Sequence, residues 1–281
     1  MSAGASGQAG DAVAGALARA HAFLAGRGAE VEARYVAVLQ GAAARAEIAE
    51  RAKASQRADG ALTALLAGDA PGPGVASTAD ALGWLVAIGA VEGAPVDAAA
   101  GFLVRAQRAD GGWDAAEADA HAAPLADEHE ASLALSATLG GLLARCPGAR
   151  QSALRRAAAF LGSHWSPDRV QSGSYPAIAG YLHAFAMVPA EVDEADTALQ
   201  WCGRELERGY RIGAFGPAAV GDVFVRCHAI AIPGTRLAAA EIAAALLREQ
   251  RADGGFGPPA AELRATCKSA LALRHLAAAL R

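Results

Sequence analysis

Aromatic side chains are scarce: they make up 5% of a 281-residue chain that is 53% apolar. A cavity densely lined with ring faces, of the kind that holds a cation against aromatic quadrupoles, is hard to build from so few. β-Branched residues are also sparse beside the abundant Ala and Leu, which lose the least on entering a helix, so helices are expected and sheets are not. No basic stripe or acidic tail interrupts a mixed charge pattern with a net charge of −4, and nucleic acid is not expected as a partner. The four cysteines, Cys146, Cys202, Cys227 and Cys267, form no CxxC pair. A chain of this length buries about 75% of the surface its unfolded form exposes, so it needs no disulfide staples; reduced thiols in a cytoplasmic protein are expected. The first fifteen residues carry neither a basic n-region nor an apolar h-region, so a secretory signal is not expected and residues 1–10 read as a disordered N-terminus. The longest uncharged run, Val170–Ala190, contains Gln171, Gly173 and Pro176 and reads as a buried helix with a polar entry, not an integral membrane segment.

What is present is a repeat. "QRADGAL" begins at Gln56, "QRADGGWD" at Gln107 and "QRADGGFG" at Gln250. The first step is 51 residues and the second 143, which is close to three steps of about 48. Two degenerate copies therefore belong between them, and "SHWSPDRVQSGSYP" and "ERGYRIGAFGPAAVGD" fit. Each unit has one grammar: an amphipathic helix, a Gly-rich loop that breaks it, a polar stretch, and a second helix poorer in charge. Within the loop, Gln ends the first helix, Asp accepts from turn amides, the Gly pair takes φ > 0 and the aromatic fills the gap between units. Six helical hairpins result. Their first helices start near Asp11, Ala43, Val96, Gln151, Asp193 and Leu237, and their second near Glu30, Ser77, Asp127, Tyr175, Ala219 and Leu263. Buried inner helices and half-exposed outer ones suggest one all-α domain over 1–281, closed as an (α/α)6 toroid. An open superhelix is the alternative arrangement of stacked helix pairs.

"FLVRAQRADGGWD" and "LLREQRADGGFG" resemble the Q-x-x-D-G-G-W/F repeats of the terpenoid cyclase and protein prenyltransferase superfamily. The resemblance covers nearly the whole chain in period but only three loops in sequence, and it speaks for fold more than for activity. It implies a toroid holding an isoprenoid or similar apolar substrate in its centre, no cofactor, and magnesium only if that substrate is a diphosphate. A homodimer or a partner subunit is compatible with it.

The inner-helix N-termini are where helix dipoles would converge on an anion. "LADEHEASLAL" clusters Asp127, His129 and Glu130 at such a start. Laid on the D-x-D-D-T-A acid motif of the resembled cyclases, Asp127 and Glu130 match the outer acids, while His129 replaces the proton-donating Asp. An imidazolium protonates an unactivated alkene far less readily than a tuned carboxylic acid. These three are the catalytic candidates. "DEADTALQW" mimics the same motif but starts an outer helix by repeat phase, where Asp193 reads as a cap. The zinc ligands of the resembled prenyltransferase subunits are mostly replaced: Asp222 stands for the Asp, but Phe224 and Ala265 stand where Cys and His are needed, so no metal is expected. Asp80, Trp84, Tyr175, Tyr181, His183, Asp222, Arg226, Cys267 and Lys268, with Arg264, are the cavity candidates. The expected function is a cyclase- or isomerase-type enzyme working by proton transfer. A non-catalytic toroid binding an isoprenoid, lipid or partner is the alternative. A glycan-processing toroid, with Asp80 and Glu130 as its carboxylate pair, is a third.

Overall fold

The computed structural model describes residues 3–63, 65–66, 74–115, 128–171, 174–188 and 194–280. Among them there is no strand. Thirteen α-helices and two short 3-10 turns make up the regular structure. The helices fall into six consecutive pairs: α1 (Ala3–Gly26) with α2 (Glu30–Gln40), α3 (Arg45–Ala54) with α4 (Val75–Ala87), and α5 (Ala94–Arg105) with α6 (Glu128–Ala144). They continue as α7 (Gln151–His164) with α9 (Tyr175–Met187), α10 (Ala195–Arg211) with α11 (Pro217–Arg226), and α12 (Ala239–Glu249) with α13 (Glu262–Leu276). The short α8 (Pro167–Gln171) lies between α7 and α9. The order is the one the repeat implies. Helix α1 starts at Ala3 rather than near Asp11.

The second helices bury most of their surface. In α9, every residue from Ile178 to Phe185 is buried. The first helices are two-faced: α10 buries Ala198, Leu199, Cys202 and Leu206 and exposes Gln200, Arg204 and Arg208. Second helices pack on one another in sequence, α4 on α6, α6 on α9, α9 on α11 and α11 on α13, and α13 packs on α2 and α1. Helix α2 meets α4 through the edge of Tyr35 against Trp84, ring centroids 5.2 Å apart.

The three loops are built alike. Asp59, Asp110 and Asp253 each accept from the backbone N–H two residues on, at 3.1, 2.9 and 3.0 Å. The first glycine of each turn, Gly60, Gly111 and Gly254, has φ of 93°, 97° and 93°. The second glycine does not take positive φ. Gly112 is there for space instead: a Cβ on it would come within 2.8 Å of the Phe160 ring. Each glutamine donates twice through Nε2, once to its own turn and once to another first helix. Gln56 reaches Gly60 O and Pro95 O, Gln107 reaches Gly111 O and Ala153 O, and Gln250 reaches Gly254 O and Ala16 O, all at 2.8–3.0 Å. Trp113 and Phe256 follow as buried plugs, and the backbone N–H of each donates to a hydroxyl of the next second helix, Ser136 or Thr266. The loops thus fix the spacing of neighbouring pairs. No helix among the described residues is long and apolar enough to cross a membrane.

Candidate functional site

Second helices poor in charge still carry a few charged side chains, and these recur at one spacing. Asp80 and Trp84, Asp222 and Arg226, and Arg264 and Lys268 are i,i+4 pairs, each sharing one face of α4, α11 or α13. The faces converge. Arg264 donates to both oxygens of Asp80, one bond at 3.1 Å and the other shorter. Trp84 Nε1 donates to Asp80 Oδ2 at 3.2 Å, and the Arg264 guanidinium lies 5.5 Å from the Trp84 ring centroid. Across from them Arg226 Nε donates to Asp222 Oδ2 at 2.7 Å, and Tyr175 Oη donates to Ala219 O at 2.8 Å with Asp222 Oδ2 at 3.5 Å. Lys268 lies within electrostatic reach of all four partners of these two ion pairs.

The ion-paired side chains keep between 15 and 30% of their surface accessible, and yet loss of solvation weighs on the protonation of Asp222 and Arg226. Burial raises the Asp222 carboxyl, but the Arg226 guanidinium and the Lys268 ammonium outweigh it, and its pKa ends below the usual carboxylate value. Asp222 in turn raises the Arg226 guanidinium above its ordinary value. For Lys268 the balance tips the other way. Asp222 favours its charged form, but burial and the Arg226 and Arg264 guanidiniums together pull its pKa down. Among the described residues its ammonium has no hydrogen-bond or ion-pair partner.

A second feature lies at the N-terminal ends of α6 and α9. Glu130, Leu133, Ala134 and Ala137 of α6, Arg169 of α8, and Ser174, Pro176, Ala177 and Tyr181 at and within α9 line a small cleft of about 20 Å³. The Tyr181 hydroxyl is buried there with no hydrogen-bond partner. Burial raises its pKa to about 12, so it stays a neutral donor.

The structure therefore brings Asp80, Trp84, Tyr175, Asp222, Arg226 and Lys268 together, and sets Glu130 and Tyr181 in the cleft. It does not bring His129 there: the ring is exposed and stacks at 5.2 Å on His164 of the first helix α7. Asp127 lies outside the described residues, as does the expected cap Asp193. Cys267 is wholly buried, its Sγ 4.0 Å from Glu32 O in the α2–α13 contact. Burial raises the Cys267 thiol well above its usual value, which leaves it an inert apolar group. His183 is buried against Gly141 with neither ring nitrogen bonded. Burial first, then Arg226 and Arg145, lower its pKa to about 3, so it is neutral.

Four contributors carry no warning in the sequence list. Tyr35 and the buried Glu32 come from α2, whose pair lacks the loop motif, and Arg169 and Ser174 come from a degenerate copy of the loop, whose residues depart from the motif. An acid in the first turn of α2 was the one available signal for Glu32. Among the described residues no group of three or more His, Cys, Asp or Glu could hold a metal ion. Comparison with known proteins finds no matching family model, no similar curated protein and no similar solved structure.

Proposed function

We propose that the six helical pairs form an (α/α)6 toroid of the terpenoid cyclase and protein prenyltransferase type, and that its interior binds a ligand through an anionic group, a phosphate or a carboxylate. The observation that carries this reading is Lys268, an ammonium without a partner beside two carboxylates that guanidiniums already hold. An unpaired buried cation is costly, and an incoming anion relieves that cost. The packing of α13 on α2 and the bond from Gln250 to Ala16 support closure of the pairs into a ring over an open superhelix.

Of the ligand features expected from the resemblance, the interior side chains speak for the polar head of an isoprenoid more than for its tail. Titration calorimetry tests the reading with inorganic pyrophosphate and geranyl diphosphate. Both should bind the wild-type chain and bind Lys268→Met roughly 10- to 100-fold more weakly, the cost of losing one charged hydrogen bond of about 1.5–3 kcal/mol. Equal binding to the variant, or no binding to the wild type, overturns it. Tighter binding of geranyl diphosphate than of pyrophosphate assigns a tail to the ligand.

A second reading, proton transfer by a cyclase- or isomerase-type enzyme, rests on the cleft that Glu130 shares with the unpartnered Tyr181 hydroxyl. Asp80 and Asp222 serve it poorly, since each is engaged by a guanidinium, and the Arg226 and Lys268 charges hold the Asp222 carboxyl below the usual carboxylate value. Turnover lost in Glu130→Gln and Tyr181→Phe but kept in His129→Ala would favour this reading.

A further inference from the structure

The chain holds 25 basic residues besides histidine, and only two are lysines, Lys53 and Lys268. The other 23 are arginines. Lys53 is a surface residue whose ammonium faces Glu50 at 3.8 Å. Lys268 stands in the interior among arginines, on the same face of α13 as Arg264. Lysine, unlike a guanidinium, can lose its proton and expose a lone pair.

The surroundings suit that chemistry. Each of the two nearby carboxylates already has hydrogen-bond partners, Asp80 in Arg264 and Trp84 and Asp222 in Arg226 and Tyr175, although Asp222 still favours the ammonium through space. With Lys268 neutral, the two Asp–Arg pairs balance and the group carries no net charge. With Lys268 charged, it carries one positive charge. Asp222 favours that form, but burial and the Arg226 and Arg264 guanidiniums outweigh it and act toward the neutral amine.

We infer that Lys268 is a carbonyl-capturing amine, condensing through Nζ with an aldehyde or ketone that also bears a carboxylate or phosphate. This rests on the anion-binding reading of the same interior. The ammonium first releases a proton to water. The Nζ lone pair then forms the C–N bond while the carbonyl π pair moves to oxygen, which takes a proton from nitrogen to give the carbinolamine. The released proton returns to that hydroxyl, which leaves as water, and the nitrogen lone pair closes the C=N bond of an iminium. One ammonium and one carbonyl thus give one iminium and one water. The positive charge beside Asp222 and Asp80 is the same before and after, so the ion pairs need not rearrange.

The test uses the full chain with glyoxylate, and acetaldehyde as the uncharged comparison, in the presence of cyanoborohydride to reduce the iminium to a stable secondary amine. Peptide mass spectrometry then locates the label among Lys53, Lys268 and the N-terminal amine. Labelling by glyoxylate should be faster at Lys268 than at Lys53, because a lowered pKa raises an amine's neutral fraction at neutral pH. Acetaldehyde should label Lys268 more slowly than glyoxylate does. Lys268→Arg keeps the cation and should still bind pyrophosphate while losing the interior label. A wild-type chain that binds pyrophosphate but is labelled no faster at Lys268 than at Lys53 overturns the inference and leaves the anion reading standing. A chain that binds no anion overturns the reading beneath it.

Discussion

Gln250, in the last of the three repeated loops, donates its side-chain amide to the carbonyl of Ala16 in the first helix, 2.8 Å away and 234 positions back in the chain. Gln107 makes the same bond to Ala153 at 3.0 Å, and Gln56 to Pro95 at 2.8 Å. Arg19 returns a bond to Gln250 Oε1 as Arg156 does to Gln107 Oε1. Helix α1 therefore stands to the last loop as α5 and α7 stand to the first two.

That equivalence can be tested through stability. Gln250→Ala removes the two bonds the side chain donates, to Ala16 O and Gly254 O, and those it accepts from Arg19, and should cost about 1–3 kcal/mol in urea unfolding, close to the cost of Gln107→Ala. Gly254→Ala should cost more. At φ of 93° an L side chain is strained, and the new Cβ would fall on the Arg19 carbonyl oxygen. If Gln250→Ala left the unfolding midpoint unmoved while Gln107→Ala lowered it, the first helix would not be held as its counterparts are.

His183 offers a pH test. Its ring is buried and neutral, with its pKa lowered from 6.5 to about 3, chiefly by burial. The unfolded chain takes up a proton at this position below about pH 6.5, and the folded chain does not until near pH 3. Stability is thus fully present above pH 6.5 and is lost as the pH falls, by at most about 1.4 kcal/mol per pH unit. His183→Leu should flatten that slope between pH 6.5 and 4.5 relative to wild type, and should not be strongly destabilising at pH 7, because both ring nitrogens already lack partners. Gly141→Ala, whose Cβ would sit 2.5 Å from the His183 ring, should cost about 1–3 kcal/mol at pH 7. Parallel pH slopes for wild type and His183→Leu would show that the ring is protonated in the fold.

Much of the helix order could be read before any coordinates, because the repeated loop carries phase. It separates first from second helices, and the second helices of the described chain are the buried ones. The same phase singles out Asp80, Asp222, Arg226 and Lys268, since a charge on an otherwise apolar helix must find a polar surrounding. It could not show that Arg264 takes Asp80 or that Arg226 takes Asp222. Those pairings depend on how α4, α11 and α13 are set against one another, which no local pattern encodes. The same holds for His129: a first-turn residue can face inward or toward the neighbouring first helix, and its ring lies beside that of His164.

The pair of Asp222 and Arg226 should matter more than a surface ion pair does. Arg226→Met leaves the Asp222 carboxylate beside Lys268 but without its 2.7 Å partner, and breaking such a pair costs about 3–5 kcal/mol where both groups are buried. With 30 and 15% of the two side chains accessible, solvent screening should bring the loss to the low end of that range or below. The double variant Asp222→Leu with Arg226→Met should recover most of it. Chemical unfolding of the three chains at one pH decides the matter, and additive losses in the double variant would mean that the two side chains do not act as a pair.

The cysteines set the alkaline limit. Burial raises Cys146 to about 11 and both Cys202 and Cys227 to about 12, from an ordinary thiol value near 9. Above pH 9 the unfolded chain releases these protons and the folded chain keeps them, so the folded state binds more protons and its stability falls as pH rises. Each thiol should contribute a loss of up to about 1.4 kcal/mol per pH unit through the window between its unfolded and folded values. Lys268 acts in the opposite sense, since its lowered pKa makes the unfolded chain the stronger proton binder below 10.5. Replacing Cys202 and Cys227 by Ala should therefore lower stability at pH 7 through lost packing, yet reduce the further loss between pH 9 and 10.5. Unfolding midpoints at these three pH values check it, and a slope unchanged by the double replacement would place the ionisation elsewhere, with Tyr35 and Tyr175, both raised by burial, as the next groups to replace.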